Sequence, residues 1–162
     1  AAAIVEASQR LGIEGLVAKR LASTYQPGAR SDDWRKVVHV RTHEVAVVGW
    51  LPGEGSLGRT FGSLVLAAPG PDGGLRYAGR VGTGFSGRDR AAIRERLPDR
   101  SRASRAVDDV PADVARAMTW MRAAVGEVRF TSVTEAGAFR QPVWRGLRPD
   151  KSLDDLEPLP ER

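Results

Sequence analysis

Residues 61–81 have the sequence Phe-Gly-Ser-Leu-Val-Leu-Ala-Ala-Pro-Gly-Pro-Asp-Gly-Gly-Leu-Arg-Tyr-Ala-Gly-Arg-Val. Two apolar runs, at 61–68 and 75–81, flank a turn rich in proline and glycine, and this pattern predicts a β-hairpin. Another apolar run at 44–51 precedes the hairpin and ends at a glycine-rich loop, which predicts one more strand. The stretch therefore indicates an antiparallel β-domain with short connections.

The residues after the hairpin predict one helix and two further strands. Ser86 is a typical N-cap for a helix through Leu97, and Asp89 stands three residues on, as in a capping box. The apolar residues at 125–131 and 138–145 predict the last two strands. Five strands with a helix between the third and the fourth are the order of a small closed barrel of the oligonucleotide-binding (OB) type. The predicted fold class is mainly β with one or two helices, built as a five-stranded OB-fold barrel.

Residues 1–42 form a separate piece in front of this barrel. The end of a helix is predicted at 3–10, and short strands are predicted at 13–19 and 34–40. This piece holds too few apolar side chains to bury a core of its own. We therefore expect it to be the end of a larger domain whose beginning is missing, and residues 43–162 to be a complete barrel.

The composition limits the kinds of site that the chain can hold. Of its 162 residues, 41% are hydrophobic and 28% are charged, as in globular proteins. It has no cysteine and only two histidines, His39 and His43, which excludes disulfides, thiolate metal sites and a histidine-rich metal cluster. No apolar run approaches the roughly 20 residues that cross a bilayer, and the first residues lack the pattern of a secretory signal. These features predict a cytoplasmic, nucleoid-associated protein without a membrane partner.

The formal net charge is +5 and is unevenly distributed. Residues 86–105 are the most basic region, with seven arginines and three acidic residues, whereas the acidic, proline-rich tail after Lys151 is expected to fray. A basic surface favours a partner with a phosphate backbone because each neutralised phosphate releases counterions. A solvated arginine face explains the charge equally well. The candidate DNA contacts are Arg80, Arg88, Arg90, Arg94 and Arg96.

Only three of the 25 basic residues are lysines, and two of them lie in predicted strands. Lysine offers a compact ammonium group that the planar fork of arginine does not replace. Lys19 stands five residues after Glu14, and this odd spacing places the two on opposite faces unless the strand bends. Glu14 is suited to hold Mg²⁺ or a ribose hydroxyl, with a salt bridge at the strand edge as the alternative. Trp34 and Lys36 share a face, where they suit a base or a phosphate, or form an ordinary amphipathic edge.

The third lysine belongs to a cationic segment that follows the last predicted strand. Arg145, Arg148 and Lys151 recur every three residues around Asp150. Cations this close repel one another unless an anion joins them, so we expect pairing with a polyphosphate or with Asp150, and a solvated basic turn is the alternative. The glycines at 79–85 lack the spacing of a phosphate loop, and no Ser/His/Asp arrangement supports hydrolase chemistry.

The order of these segments resembles a known family. Glu-Gly-Leu-Val-Ala-Lys (14–19) is similar to motif IV of ATP-dependent DNA ligases, and Trp-Arg-Lys (34–36) is similar to motif V. Arg-Gly-Leu-Arg-Pro-Asp-Lys (145–151) resembles motif VI. The resemblance covers nearly the whole chain. Longer stretches that resemble the ligase module of bacterial non-homologous end-joining ligases lie at 23–31, 79–85 and 141–151.

This resemblance implies the C-terminal part of a ligase, with a remnant of the adenylation domain at 1–42 and an OB-fold DNA-binding domain at 43–162. Such enzymes seal nicks in duplex DNA during repair and recombination, using ATP and Mg²⁺, through a lysyl-AMP and then a DNA-adenylate intermediate. The resemblance implies that cations and a metal ion neutralise charge on the moving phosphate. The implied catalytic residues are Glu14, which assists the metal, Lys19 and Lys36, and the implied ATP-phosphate contacts are Arg145, Arg148, Asp150 and Lys151.

The chain departs from the family pattern at two points. The nucleophilic lysine of the family lies in an upstream Lys-x-Asp-Gly motif, and none of the three lysines here has that context. Motif V normally carries a second lysine two residues after the first, where this chain has Val38. We therefore expect no self-adenylation by this chain alone, and a partner that is an N-terminal adenylation-domain chain or an end-joining protein. The alternatives are a stand-alone or degenerate OB-fold module that binds duplex DNA without catalysis, and a relative of RNA capping enzymes or RNA ligases.

Overall fold

The computed structural model describes residues 2–58, 60–97 and 107–160. The chain divides into two compact units, Ala1–Val40 and Arg41–Arg162. Within the described residues, no helix is long and apolar enough to cross a membrane. Residues 98–105 of the predicted basic region lie outside the described residues.

The first unit consists of a helix followed by a two-stranded antiparallel sheet. Helix α1 covers Ala2–Arg10, and Gly12 just beyond it adopts a φ of 67°, a left-handed conformation that glycine tolerates without steric cost. Strand β1 covers Gly15–Lys19, and strand β2 covers Trp34–Val38. Both strands and the helix lie where the sequence predicts them.

The register of β1 and β2 determines which side chains meet. Lys19 lies opposite Trp34, and Val17 lies opposite Lys36. Directly opposed residues share a face of the sheet, as do residues two apart along a strand. Val17, Lys19, Trp34 and Lys36 therefore lie on one face, and Val38, two residues after Lys36, lies on it too.

The first unit buries two polar residues but none of its described apolar ones. Ser8 and His39 are buried, and the Oγ–Nε2 distance between them is 2.6 Å. Because the Ser8 hydroxyl donates to the Val5 carbonyl at 2.8 Å, the His39 Nε2–H donates to Ser8. All the large apolar side chains that are exposed in the described part of the protein belong to this unit. They are Ile4, Leu11, Ile13, Val17, Leu21, Tyr25, Val37, Val38 and Val40.

The second unit is built on a six-stranded sheet in the order β10-β7-β3-β4-β5-β6. All neighbouring pairs are antiparallel except β5 and β6, and β8 and β9 form a separate small hairpin. Short 3₁₀ turns occupy Gly55–Leu57 and Leu153–Asp155. The elements are β3 (Arg41–Pro52), β4 (Phe61–Pro69), β5 (Leu75–Val81), α2 (Gly87–Arg96), β6 (Val107–Asp108), α3 (Ala112–Ala117), β7 (Thr119–Phe130), β8 (Ser132–Val133), β9 (Phe139–Arg140) and β10 (Val143–Leu147).

Apolar side chains cover both faces of this sheet. Alternate residues of β3 belong to two different apolar clusters. On one side of the sheet, Val45 and Val47 pack with Trp144 and with Ile93 of α2. Ala46 and Val48 pack instead on the side that Val114 of α3 and Leu156 of the tail cover. A sheet buried on both faces needs continuous rather than alternating apolar sequence. This requirement explains the unbroken run in residues 45–48.

The sheet curves until its two sides meet, although the strand pairing itself does not close. The Trp144 amide of β10 donates to the Thr83 carbonyl, just beyond β5, at 2.9 Å. Phe85 stacks on Trp144 with ring centroids 5.5 Å apart and meets Phe61 edge-on at 5.0 Å. The predicted OB fold is confirmed, but the described strands form an open order with β10 and β6 at its edges. Aromatic packing and this backbone hydrogen bond join the sides where a continuous ladder was expected.

Several further predictions have clear outcomes. The helix capped by Ser86 is confirmed, since the Ser86 hydroxyl accepts from the Asp89 amide and Asp89 accepts from the Ser86 amide. The single strand predicted at 138–145 is wrong, because Gln141 has a φ of 51° and precedes a proline, which separates β9 from β10. Helix α3 and strand β6 were not predicted.

The expectation that the tail after Lys151 frays is also wrong. Ser152 and Asp155 form a second capping box around a 3₁₀ turn, in which the Ser152 amide donates to Asp155 at 2.8 Å. Leu156 follows directly and is buried in the cluster beneath α3. An acidic, proline-rich composition predicts fraying only when no apolar anchor packs against the domain.

Candidate functional site

The first unit carries a cleft beside the face that holds Lys19 and Lys36. The cleft has a volume of ≈ 740 Å³, and Tyr25, Arg30, Asp32, Trp34 and Lys36 are among its lining residues. Its walls come from β2 and from the loop that joins the two strands. An aromatic surface with cations at its edge is suited to a base and its attached phosphate.

Hydrogen bonds and ring contacts position Trp34 in this cleft. Its indole N–H donates to the Ser23 hydroxyl at 3.0 Å, and that hydroxyl donates to the Arg20 carbonyl at 2.7 Å. The Lys19 ammonium lies 3.9 Å from the centre of the Trp34 indole ring. The centroids of the Tyr25 and Trp34 rings lie 5.5 Å apart. The structure thus brings Lys19, Trp34 and Lys36 together: the spacing predicts the shared face of Trp34 and Lys36, and the register of β1 and β2 adds Lys19.

Glu14 occupies a different position from the two lysines. It immediately precedes β1, and its carbonyl accepts from the His39 amide at 3.0 Å, which continues the register of the strand pair. Alternation places it out of phase with Lys19 and Lys36, as the odd spacing predicts. The described residues contain no cluster of three or more His, Cys, Asp or Glu suited to a metal ion. One carboxylate still fits Mg²⁺, which takes one or two carboxylates and completes its coordination with water and phosphates.

The second unit holds the cations of the segment after β10 in a network of ion pairs. Arg148 donates two hydrogen bonds to Asp150, at 3.0 and 2.8 Å, in a bidentate arrangement. Its remaining terminal nitrogen lies 2.5 Å from Glu44 and 3.7 Å from Glu127. Lys151 approaches Glu44 at 3.4 Å. The predicted pairing with Asp150 is present, but two further carboxylates share these cations.

Glu44 and Glu127 were not predicted as site residues. They stand directly opposite each other on β3 and β7, where like charges repel. Arg148 approaches both carboxylates and offsets this repulsion, and Arg145 lies 3.8 Å from Glu127. The available signal was a carboxylate in each of two predicted strands, Glu44 at the start of 44–51 and Glu127 inside 125–131. Their pairing could not be predicted because they stand 83 positions apart along the chain.

The bidentate pair shifts both ionisation equilibria. The hydrogen bond with Asp150 raises the pKa of Arg148, and the charges of Asp150, Glu44 and Glu127 raise it further. The same hydrogen bond lowers the pKa of Asp150 from 3.8 to about 2. Asp150 is therefore ionised throughout the physiological range and stays available as the partner of Arg148.

These shifts predict a pH dependence. Because the folded protein binds the Asp150 proton more weakly than the unfolded chain, the pair contributes stability that is present above the unfolded pKa and lost as pH falls through about 2. Carboxyl-carbon NMR titration of an Arg148→Gln variant should move the Asp150 midpoint up towards 3.8. Asp155 is the internal control, since hydrogen bonds from Ser152 lower its pKa. An Asp150 midpoint that does not move in the variant would contradict this account.

The five arginines proposed for DNA have different environments. Arg90 lies over Phe61 and Phe85, at 5.1 and 5.0 Å from the ring centres, and donates to the Phe61 carbonyl at 3.4 Å. Arg80 interacts with Tyr77, whose pKa is raised by burial and lowered in part by Arg80. Within the described residues, the other three are exposed and have no ion pair. These are Arg88, Arg94 and Arg96.

Near the start of α2, Asp89 supports the helix rather than a ligand. Partial burial raises its pKa, but hydrogen bonds from the Ser86 hydroxyl and amide lower it by more, and the net pKa is below the usual value. The Trp144 Nε1 has no partner within hydrogen-bond distance among the described residues, so we attribute the lowered pKa of Asp89 to the contacts with Ser86. The helix terminus is thus held in place by its own cap.

Comparison with known proteins gives the relationships of this chain. Residues 57–151 match the family described as "ATP dependent DNA ligase C terminal region". The chain is 46% identical over 145 residues to the multifunctional non-homologous end joining protein LigD of Mycolicibacterium smegmatis. The matched region covers 88% of this chain and 19% of that protein. The chain thus spans about a fifth of that curated relative, at 19% of its length.

Solved structures agree with this relationship. The ligase domain of LigD from M. tuberculosis has a TM-score of 0.66 and 43% identity, over 96% of this chain and 51% of that chain. A mycobacterial DNA ligase D complexed with ATP and MES has a TM-score of 0.61 and 41% identity, over 98% of this chain and 51% of that chain. The similarity extends through both units and covers about half of each solved chain, at 51%.

Proposed function

Because the chain belongs to the ATP-dependent DNA ligase family and matches its C-terminal region, we propose that it is the C-terminal part of an enzyme that seals nicks in duplex DNA during repair. The observation that carries the proposal is the register of β1 and β2, which gathers Lys19 and Lys36 on one face beside an aromatic cleft. Two ammonium groups on one face are suited to neutralising the charge of a phosphate during its transfer.

In this proposal, residues 1–42 are the end of the adenylation domain and residues 43–162 are the OB-fold DNA-binding domain. The exposed apolar side chains of the first unit support it, since they need further polypeptide to cover them. The rest of the adenylation domain would cover them and supply the nucleophilic lysine. The chain itself has no Lys-x-Asp-Gly motif.

Each proposed residue has a definable task. Trp34 and Tyr25 would support the base, and Lys36 would lie against the phosphate of AMP. Glu14 would hold Mg²⁺, which supplies neutralisation of phosphate charge when it is bound. Val38 lies on the same face as Lys36 but contributes no charge, so Lys36 would carry the cationic role of this segment alone.

The segment after β10 would bind the outer phosphates of ATP. Its cations are engaged with carboxylates, since Arg148 and Lys151 both contact Glu44. To reach a polyphosphate they would exchange Glu44 for phosphate oxygens, which are acceptors of the same kind. Glu44 and Glu127 would thus hold the cations in place until ATP replaces them.

The test compares this chain with a chimeric ligase, in which the first half of the ligase domain of M. tuberculosis LigD is joined ahead of Ala1. With radiolabelled ATP and Mg²⁺, we expect no labelled band from this chain on a denaturing gel. The chimeric ligase should become labelled and seal a nicked duplex. A labelled band from the chain alone, or a labelled chimeric ligase that leaves the nick open, would refute the proposal.

A stand-alone DNA-binding module is the second candidate. The exposed and unpaired arginines of α2 in the described part of the chain favour it. In that case the chain should bind nicked duplex with an affinity that falls steeply with salt, and the chimeric ligase should not seal nicks.

A further inference from the structure

We propose that a cavity in the second unit is a polyphosphate site in which Arg96 and Arg122 are binding residues. The cavity of ≈ 470 Å³ lies between the end of α2, the middle of β7 and the segment after β10. Its charged lining residues are Glu95, Arg96, Arg122, Arg148 and Lys151. Neither Arg96 nor Arg122 belongs to the ligase motifs.

Four cations and one carboxylate, Glu95, line this cavity, and carboxylates outside the lining hold two of the four cations. Arg148 and Lys151 are engaged with Glu44, whereas Arg96 and Arg122 have no ion pair among the residues that the structure describes. Another arginine of this unit does find acidic partners, since Arg76 lies 3.7 Å from Asp72 and 3.5 Å from Asp109. Cations that converge on a concave space without a counterion attract an anion.

The shape and charge favour a compact polyphosphate. A tripolyphosphate carries enough negative charge to neutralise all four cations, and it fits a concave space that a duplex backbone would only touch at its rim. The inference rests on the proposed function in one respect, namely that Arg148 and Lys151 meet ATP phosphates. Arg96 would then extend this contact from α2 and Arg122 from β7.

The experiment is calorimetric titration of the chain with sodium tripolyphosphate. Arg96→Gln and Arg122→Gln should each weaken binding about tenfold or more, the usual effect of losing a charge-assisted hydrogen bond. Arg129→Gln is the matched control, since Arg129 is exposed on the same strand as Arg122, lacks an ion pair among the described residues and does not line the cavity. It should change the affinity less than twofold. Thermal melting of every variant confirms that the fold is retained.

Three results would overturn the inference. The wild-type chain does not bind tripolyphosphate, or Arg129→Gln weakens binding as much as Arg122→Gln, which indicates a diffuse basic surface. The third is that nicked duplex, at equal phosphate concentration, displaces tripolyphosphate, and that Arg122→Gln weakens the binding of the duplex by the same factor as that of tripolyphosphate. This result would indicate a site for the DNA backbone. Nick sealing by the chimeric ligase is measured separately. If the chimeric ligase seals nicks but Arg122→Gln binds tripolyphosphate as tightly as the wild-type chain, only this inference is refuted. If Arg122→Gln weakens binding but the chimeric ligase does not seal nicks, only the proposed function is refuted.

Discussion

Replacing Lys36 with alanine should slow nick sealing by the chimeric ligase about 100-fold or more. Lys36 lines the cleft, shares its face with Lys19, and has no second lysine two positions on because Val38 stands there. Removing a single positioned donor from a developing charge costs roughly two to three orders of magnitude in other enzymes. The measurement is single-turnover sealing of a nicked duplex, with labelling by ATP recorded in parallel to identify the affected step.

Arg35→Ala is the matched control for this substitution. Arg35 is a neighbouring exposed cation on the same strand, but alternation points it to the opposite face. It should change the rate by less than about threefold, which is the scale of a surface charge far from the reacting atoms. Equal losses in the two variants would show that net charge rather than position matters, and an active Lys36→Ala enzyme would remove Lys36 from the mechanism.

Gly126→Ala should destabilise the second unit by about 3 kcal/mol, the upper part of the usual range for an overpacked core. Gly126 lies in β7, between β3 and β10, and a Cβ there would overlap three carbons of the Trp144 indole ring. Trp144 is 2% exposed and stacked on Phe85, so it has no room to withdraw. Urea unfolding followed by circular dichroism gives the free energy.

Two comparisons make this prediction specific. Gly87→Ala at the start of α2 should change stability by less than about 1 kcal/mol, because nothing lies within 4 Å of the added carbon. Trp144→Phe removes the ring atoms that a Cβ at Gly126 would strike, so Gly126→Ala should cost less than half as much in that background. Equal costs in both backgrounds would place the strain in the backbone instead.

Local signals in the sequence predicted the elements that local interactions form. The capping box of Ser86 and Asp89 is one, and the hairpin of β4 and β5 is another. Helix α3 escaped prediction because it has six residues and its N-cap, Pro111, forms no side-chain cap. The order of the tail escaped because it depends on Leu156 packing against distant strands, which composition does not record.

In the candidate site too, local sequence spacing predicted some contacts, and contacts between distant residues were not predicted. Strand alternation correctly placed Trp34 and Lys36 on one face, because a period of two needs only sequence spacing, whereas Lys19 joined them only through the register of β1 and β2. Glu44 and Glu127, which hold Arg148, come from strands that are far apart in the sequence. Their role could therefore be identified only from the pairing of these strands in the sheet. Arg90 resembles its exposed neighbours in sequence, yet its guanidinium lies over two aromatic rings.

The pairing of β1 with β2 also bears on how this segment can change over evolution. Register alone sets the face of Lys19 and Lys36, whereas the loop between the strands builds the wall of the cleft. Insertions and deletions in that loop would therefore reshape the cleft without exchanging its charges. A one-residue insertion between Trp34 and Arg35 would instead turn Lys36 away and bring Arg35 in. Length variation in related chains should accordingly concentrate in the loop and be rare within the two strands.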